Sequence, residues 1–342
     1  MVGVILTIAA LASASTWQVA HEEFIEPAPA VAEVHASTIV ETKTGALVAA
    51  WFGGTKEGNA DVAIYVSRRE GTAPWSAGKV VADGMQPDGT HFATFNPVLH
   101  RTADGRLLLF FKTGPSPEKW WGEVIVSKDD GLTWTDRRRL PDGILGPIKN
   151  KPILLADGTL LCPTSVEYDA KHWAVRMERT DESLTKWSST PDFADPQKIG
   201  AIQPTVLVCR DGRLVALCRS SVRVMAQSGS SDGGKTWSPL EPTDIFMPNS
   251  GLDAVTLSDR SFLLAYNPSE KNADPQSWGE RRPLVVAQSR DGLSWQTIAR
   301  LETRPNRQGY AYPAIIQTRD GHVHVTYTWN RARIKHVTLE AR

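Results

Sequence analysis

Three kinds of residue in this chain could do chemistry: carboxylates on a flexible loop, cations at strand ends, and paired aromatics in polar surroundings. The loop Gly53-Gly54-Thr55-Lys56-Glu57-Gly58-Asn59-Ala60-Asp61 holds Glu57 and Asp61 between two apolar runs and is longer than a hairpin needs. Loops on a rigid scaffold are where function is displayed, and a carboxyl there can give or take a proton. Solvated turn charges are the plainer alternative. Gly146-Pro147-Ile148-Lys149-Asn150-Lys151-Pro152 sets two lysines and an amide at the start of an apolar strand, and at least one of them is expected to face an anion. Arg219 ends the apolar run 214–218, where a charge is costly unless it is paired or reaches solvent. Glu167, after Pro163-Thr164-Ser165, either works at a site or sits in solvent or an ion pair. Trp120-Trp121, within the polar stretch 115–122, form either a platform for a sugar ring or a packed lid.

The whole composition narrows what such groups could meet. Lys plus Arg, at 38, equals Asp plus Glu, at 38, so no net field draws the chain to nucleic acid or an anionic membrane, and charge selectivity must be local. Cys162, Cys209 and Cys218 make no framework. Cys209 and Cys218 flank the Asp211-Gly212 turn unsymmetrically, which argues against a disulfide there but leaves one open. No Cys/His spacing suggests zinc, and neither a catalytic metal nor a cofactor is expected. The small, apolar run 2–14 is too short to span a bilayer and has the character of a secretion signal without its positive start, Ala12-Ser13-Ala14 being where such a signal would be cut. A leader over residues 1–20 and a secreted or periplasmic protein are therefore expected, with an edge strand or a truncated start as the other reading. Nothing in the composition speaks to oligomeric state.

Two interleaved repeats supply the elements that position these residues. Ser230-Ser231-Asp232-Gly233-Gly234-Lys235-Thr236-Trp237 reads S-x-D-x-G-x-T-W, recurs at Ser127-Lys128-Asp129-Asp130-Gly131-Leu132-Thr133-Trp134, and is shortened at Ser289-Arg290-Asp291-Gly292-Leu293-Ser294-Trp295. Its logic is a hairpin turn in which Asp folds onto backbone N–H groups, Gly supplies the positive φ and Trp plugs the space beneath. Between these copies run strand starts that lead to D-G turns: Asn96-Pro97, Lys151-Pro152, Gln203-Pro204 and Tyr312-Pro313, with weaker versions at His35 and Asp253. Six units at a pitch of roughly 50–60 residues, each with room for four short strands, predict an all-β, six-bladed propeller over residues 21–342 as one domain.

This alternation resembles the sialidase (neuraminidase) superfamily with its Asp-box, or bacterial neuraminidase, repeats, over about residues 33–340. The Asp-box is specific for fold and weak for function, because such turns lie far from the chemistry. The resemblance implies a tyrosine nucleophile at Tyr312, two of three carboxylate-binding arginines at Arg219 and Arg281, and an acid/base carboxylate at Glu57, with Asp61 in reserve. Two positions depart from it. The first family arginine is His35 here, and the glutamate that should activate the tyrosine is Gln203. An amide takes no proton, and imidazole lacks the guanidinium fork. The axis is expected to gather His35, Asn96, Lys151, Gln203, Asp253 and Tyr312, with Arg219 and Arg281 beside them, about half of the set touching an acidic glycan.

Three functions compete on these residues. The first is a glycosidase resembling exo-α-sialidase that releases a terminal acidic sugar. The second is a lyase on uronate-bearing glycans, in which Gln203, Asn96, Lys151 or an arginine neutralises the uronate and His35 or Tyr312 acts as base and acid. The third is a glycan-binding propeller without turnover.

Overall fold

The recurring strings are the turns of six four-stranded antiparallel sheets. The computed structural model describes residues 16–26, 28, 29, 31–193, 198–270 and 279–342. In the turn at 127–134, Asp129 accepts from Thr133 N at 2.9 Å and from its hydroxyl, while Ser127 Oγ accepts from Gly131 N at 2.8 Å. Asp232 does the same for the backbone N–H groups of Lys235 and Thr236, both at 3.0 Å. Trp134, Trp237 and Trp295 pack against three different buried clusters, so each turn plugs a seam of the core.

The sheets form the blades of a six-bladed propeller. Blade one comprises Glu33–Glu41, Leu47–Gly54, Ala63–Arg69 and Lys79–Ala82; blade two Ala93–Arg101, Leu107–Gly114, Trp121–Ser127 and Thr135–Arg139. Blade three comprises Ile153–Leu154, Leu160–Glu167, Trp173–Thr180 and Ser188–Ser189; blade four Ala201–Val208, Leu214–Ser220, Val224–Ser230 and Glu241–Phe246. Blade five comprises Asp253–Thr256, Phe262–Tyr266, Leu284–Ser289 and Gln296–Glu302. The core lies between blades: Val98, Phe110 and Val124 of blade two pack with Leu160 and Cys162 of blade three. Cys209 and Cys218 are not joined; both are free thiols.

Blade six is composite. Its strands Tyr310–Gln317, Val323–Trp329 and Arg333–Ala341 are completed by Trp17–Phe24, with Trp17 opposite Ala341 and Phe24 opposite Lys335. The domain boundary expected after residue 20 therefore falls inside a strand, and the leader expected before it lies, for residues 1–15, outside the described residues. The closing strand is pinned by its own charge. Glu23 accepts from Trp75 Nε1 at 3.2 Å and from Arg69, and meets His336 Nδ1 at 3.2 Å; the other nitrogen of His336 is 2.9 Å from His324 Nδ1. Burial opposes ionisation of Glu23, but the hydrogen bond to His336 and the charge of Arg69 bring it down to about 2.

Four inner strands share one irregularity. The pairing register slips between His35 and Thr38, Phe95 and Val98, Ile202 and Thr205, and Ala311 and Ala314. Inside each bulge one residue takes a positive φ: Ala36 at 54°, Asn96 at 44°, Gln203 at 57° and Tyr312 at 53°. These are costly angles for residues with a Cβ, and bulges re-aim side chains. In blades two, four and six the bulged residue is the one before proline in the sequence repeat.

Candidate functional site

At the bulges of blades four and six, Tyr312 and Gln203 meet. Gln203 Nε2 donates to Tyr312 Oη at 2.9 Å, and Arg219 Nη1 donates to the same oxygen at 3.0 Å. Arg219 Nη1 also reaches Gln203 Oε1 at 3.3 Å, which fixes the sense of the amide, and its Nε donates to Asn249 Oδ1. The Arg219 guanidinium lies 5.7 Å above Trp173, and that of Arg281 lies 5.9 Å from the Tyr312 ring. Arg219 is only 5 % exposed, yet it faces amides and a phenol with no carboxylate among them. Burial, with the like charges of Arg219 and Arg331, pulls Arg281 down to about 10, so it stays charged in neutral solution.

His35 stacks obliquely on Tyr312, ring centroids 4.2 Å apart, with Nδ1 3.0 Å from Thr328 Oγ1 and Nε2 buried without a partner. Burial first, then the charges of Arg331, Arg281, Arg219 and Lys149, hold it well below its ordinary value of 6.5. His35 is therefore neutral at physiological pH and does not replace the missing arginine as a cation. Asn96 occupies the bulge of blade two, 6 % exposed.

The other two residues expected at the axis belong to a separate level. Asp253 accepts at Oδ1 from Thr205 Oγ1 at 2.8 Å and Ala254 N at 2.9 Å, and at Oδ2 from Lys151 Nζ at 2.8 Å and Ile315 N at 2.9 Å. Blades three, four, five and six are tied by one carboxylate, and Lys151 is spent on it and on Ala254 O. Lys149, not Lys151, is the lysine beneath the Tyr312 level. Its Nζ donates to Asn150 Oδ1 at 2.9 Å, to Leu252 O at 2.7 Å and to Pro313 O. Burial draws it down to about 7, with Asp253 opposing. A Cβ on Gly251 would lie 3.2 Å from Lys149 Cε and 3.4 Å from both Gln203 Oε1 and Tyr312 Cδ2, so this glycine is the floor between the two levels.

The loop carboxylates take different places. Both oxygens of Asp61 are used on Thr55, from its N at 2.8 Å and its hydroxyl at 2.9 Å, which shapes the loop. Glu57 instead pairs with Arg331, and Arg331 also lies 3.9 Å from Glu33. Glu167 feels Arg219 and Glu57, and burial lifts it above the usual carboxylate range. Trp120 packs edge-on against Phe95 at 5.6 Å and Trp121 lies under Arg139 at 4.7 Å, so the pair is packed. Arg331 and Asn249 had no signal in the sequence. Arg331 follows a strand in the turn Asn330-Arg331, where both residues have φ of 54°; Asn249 belongs to a turn closed by Ser250 N donating to Pro248 O at 2.7 Å. Among the described residues no group of His, Cys, Asp and Glu is placed to hold a metal ion.

The chemistry available is that of an anion trap beside a phenol. Arg219, Arg281 and Arg331 all act on one imidazole, and among the described residues only Arg331 of the three is in ion-pair contact with a carboxylate. The family model described as a BNR repeat-like domain matches residues 45–325. No curated protein matches the chain. Among solved structures, a protein of unknown function from Dyadobacter fermentans is similar with a TM-score of 0.78 at 16 % identity, covering 96 % of this chain and 100 % of its own. The NanB sialidase from Streptococcus pneumoniae, as its K499G mutant, gives 0.69 at 12 %, covering 91 % and 68 %. The intramolecular trans-sialidase from Ruminococcus gnavus gives 0.65 at 14 %, covering 90 % and 94 %. At such identities the likeness is one of fold.

Proposed function

The chain belongs to the BNR repeat-like domain family, and on that premise we propose that its axial mouth binds the carboxylate of an acidic sugar and that the protein is a glycosidase resembling exo-α-sialidases. The observation that carries this reading is the Tyr312 hydroxyl, held by Arg219 and Gln203 with Arg281 beside the ring. Arg219 and Arg281 hold the sugar carboxylate. With both donors on its oxygen, Tyr312 keeps its hydrogen for a third direction, towards the bound sugar. Tyr312 Oη forms a bond to the anomeric carbon as the glycosidic C–O bond breaks, and its proton passes through water in the mouth to the Glu57 carboxylate, which hands it to the departing oxygen. Water then cleaves the tyrosyl–sugar bond. Glu57 must leave Arg331 to do this.

A second reading, elimination from a uronate, is favoured by His35, a neutral imidazole with one unpartnered nitrogen against Tyr312. The test is a digest of sialylated and uronate-bearing glycans followed by mass and ultraviolet absorbance. A product heavier by one water supports hydrolysis, and an unsaturated product without added water supports elimination. Binding without any product from either pool would leave a glycan-binding propeller.

A further inference from the structure

The wall that carries Arg281 and Arg331 does not end at the axial mouth. Both residues also line a neighbouring cavity of about 420 Å³, together with Arg282, Arg307, Asn306 and Glu280. Four guanidiniums thus face one hollow in a chain whose total charge is zero. The compensation is incomplete: Glu280 pairs with Arg282 at 2.6 Å and Glu57 with Arg331, while Arg281 and Arg307 have no carboxylate partner among the described residues. Asn306 also lines the cavity, its side-chain oxygen taken by Gly309 N.

Among the described residues that line this space none is aromatic, and the polar groups are mostly guanidiniums. The cations are all arginines, whose planar forks match the paired oxygens of carboxylates and sulfate esters. A hollow of this size admits one further sugar residue.

We propose that this cavity is a second anion subsite, which takes a carboxylate or sulfate ester on the sugar next to the one in the axial mouth, so that the ligand is a polyanionic glycan. The inference rests on the acidic-sugar reading of the mouth, and its test separates the two. Binding is measured by calorimetry at fixed ionic strength for three tetrasaccharide probes: hyaluronan, with one carboxylate per two sugars; chondroitin sulfate, with an added sulfate ester; and oligogalacturonate, with a carboxylate on every sugar. The wild-type protein is expected to bind one of the two denser probes about tenfold more tightly than hyaluronan, as a charge-assisted fork requires. Which of them gains tells sulfate from carboxylate. Arg307→Ala and Arg282→Ala should erase that increment and leave hyaluronan binding unchanged, whereas Arg213→Ala, on the remote Asp211-Gly212 turn, should erase none of it. Equal affinity for all three probes, or an increment that survives in the double variant, overturns the subsite. If no probe binds, a uronate in the mouth is ruled out while the sialylated pool still tests the mouth itself, and inorganic sulfate decides the cavity: an affinity lowered by Arg307→Ala sustains it, and an unchanged one removes it.

Discussion

Two levels of polar side chains converge on the propeller axis, one satisfied and one charged in excess. In the level of Asp253, each carboxylate oxygen has two donors and Lys151 has its counter-ion. In the level of Tyr312, Arg219 and Arg281 approach a phenol, two amides and a neutral imidazole, and among the described residues neither arginine has a carboxylate in ion-pair contact, Glu167 and Glu57 acting on them only electrostatically. A closed network rigidifies, since nothing further can be gained from a partner. An open one leaves desolvated cations that an anion can still satisfy. On the proposed function it is the second kind that receives the ligand, although both look alike in composition.

This contrast can be broken at either level. Tyr312→Phe should lower turnover by at least about a thousandfold while shifting unfolding free energy by less than about 1 kcal/mol, because the hydroxyl serves the open level only. Matched kinetics and urea melts check both halves, and unchanged activity would remove Tyr312 from the site. Asp253→Ala should do the reverse. It strands Lys151 and two backbone donors and should cost about 3 kcal/mol in a denaturant titration, and any loss of activity should follow from unfolding alone. Gly251→Ala, between the levels, should move both readouts modestly. The added methyl presses on Gln203 and Tyr312, for an expected rise in KM of about fivefold at a stability cost of about 1 kcal/mol.

The smallest effect is in pH. His35 is held below 6.5 in the fold and titrates near that value unfolded, so the unfolded chain binds more protons as pH falls below 6.5. His35 thus withdraws stability on the acid side, by at most about 1.4 kcal/mol per pH unit, and leaves the alkaline side untouched. His35→Asn should flatten that acid limb in melts between pH 7 and 5. It should leave the KM of an acidic sugar independent of pH across the same range, since the arginines carry the charge; a KM that rises sharply through pH 6.5 only in the wild type would mean that His35 binds as a cation.

The fold could be read from the turns because their chemistry is local: Asp129, Asp232 and Asp291 do in space what S-x-D-x-G-x-T-W spells in sequence. The X-Pro strand starts likewise marked three of the four inner bulges, and blade one, with Ala36-Ser37, bends at the same place without proline. The site was less accessible because satisfaction is a tertiary property. Nothing in the string Lys149-Asn150-Lys151 says which ammonium finds an aspartate 102 residues away and which goes to Leu252 O and Pro313 O. Arg331 escaped notice for the same reason. It sits in a turn without a motif and matters through Glu57, 274 residues distant in sequence.

The strand Trp17–Phe24 is synthesised long before its partner, Arg333–Ala341, the facing residues Gln18 and Glu340 lying 322 positions apart. Until that partner is made it must wait as a solitary edge, while the other five sheets can assemble from neighbouring segments. Its composition suits the wait, because a stretch with His21, Glu22 and Glu23 is a poor template for stray β-pairing. Ring closure becomes a long-range search, the slowest kind of contact for a chain to form. The half-buried Glu23 ion cluster would then be the clasp that records its completion.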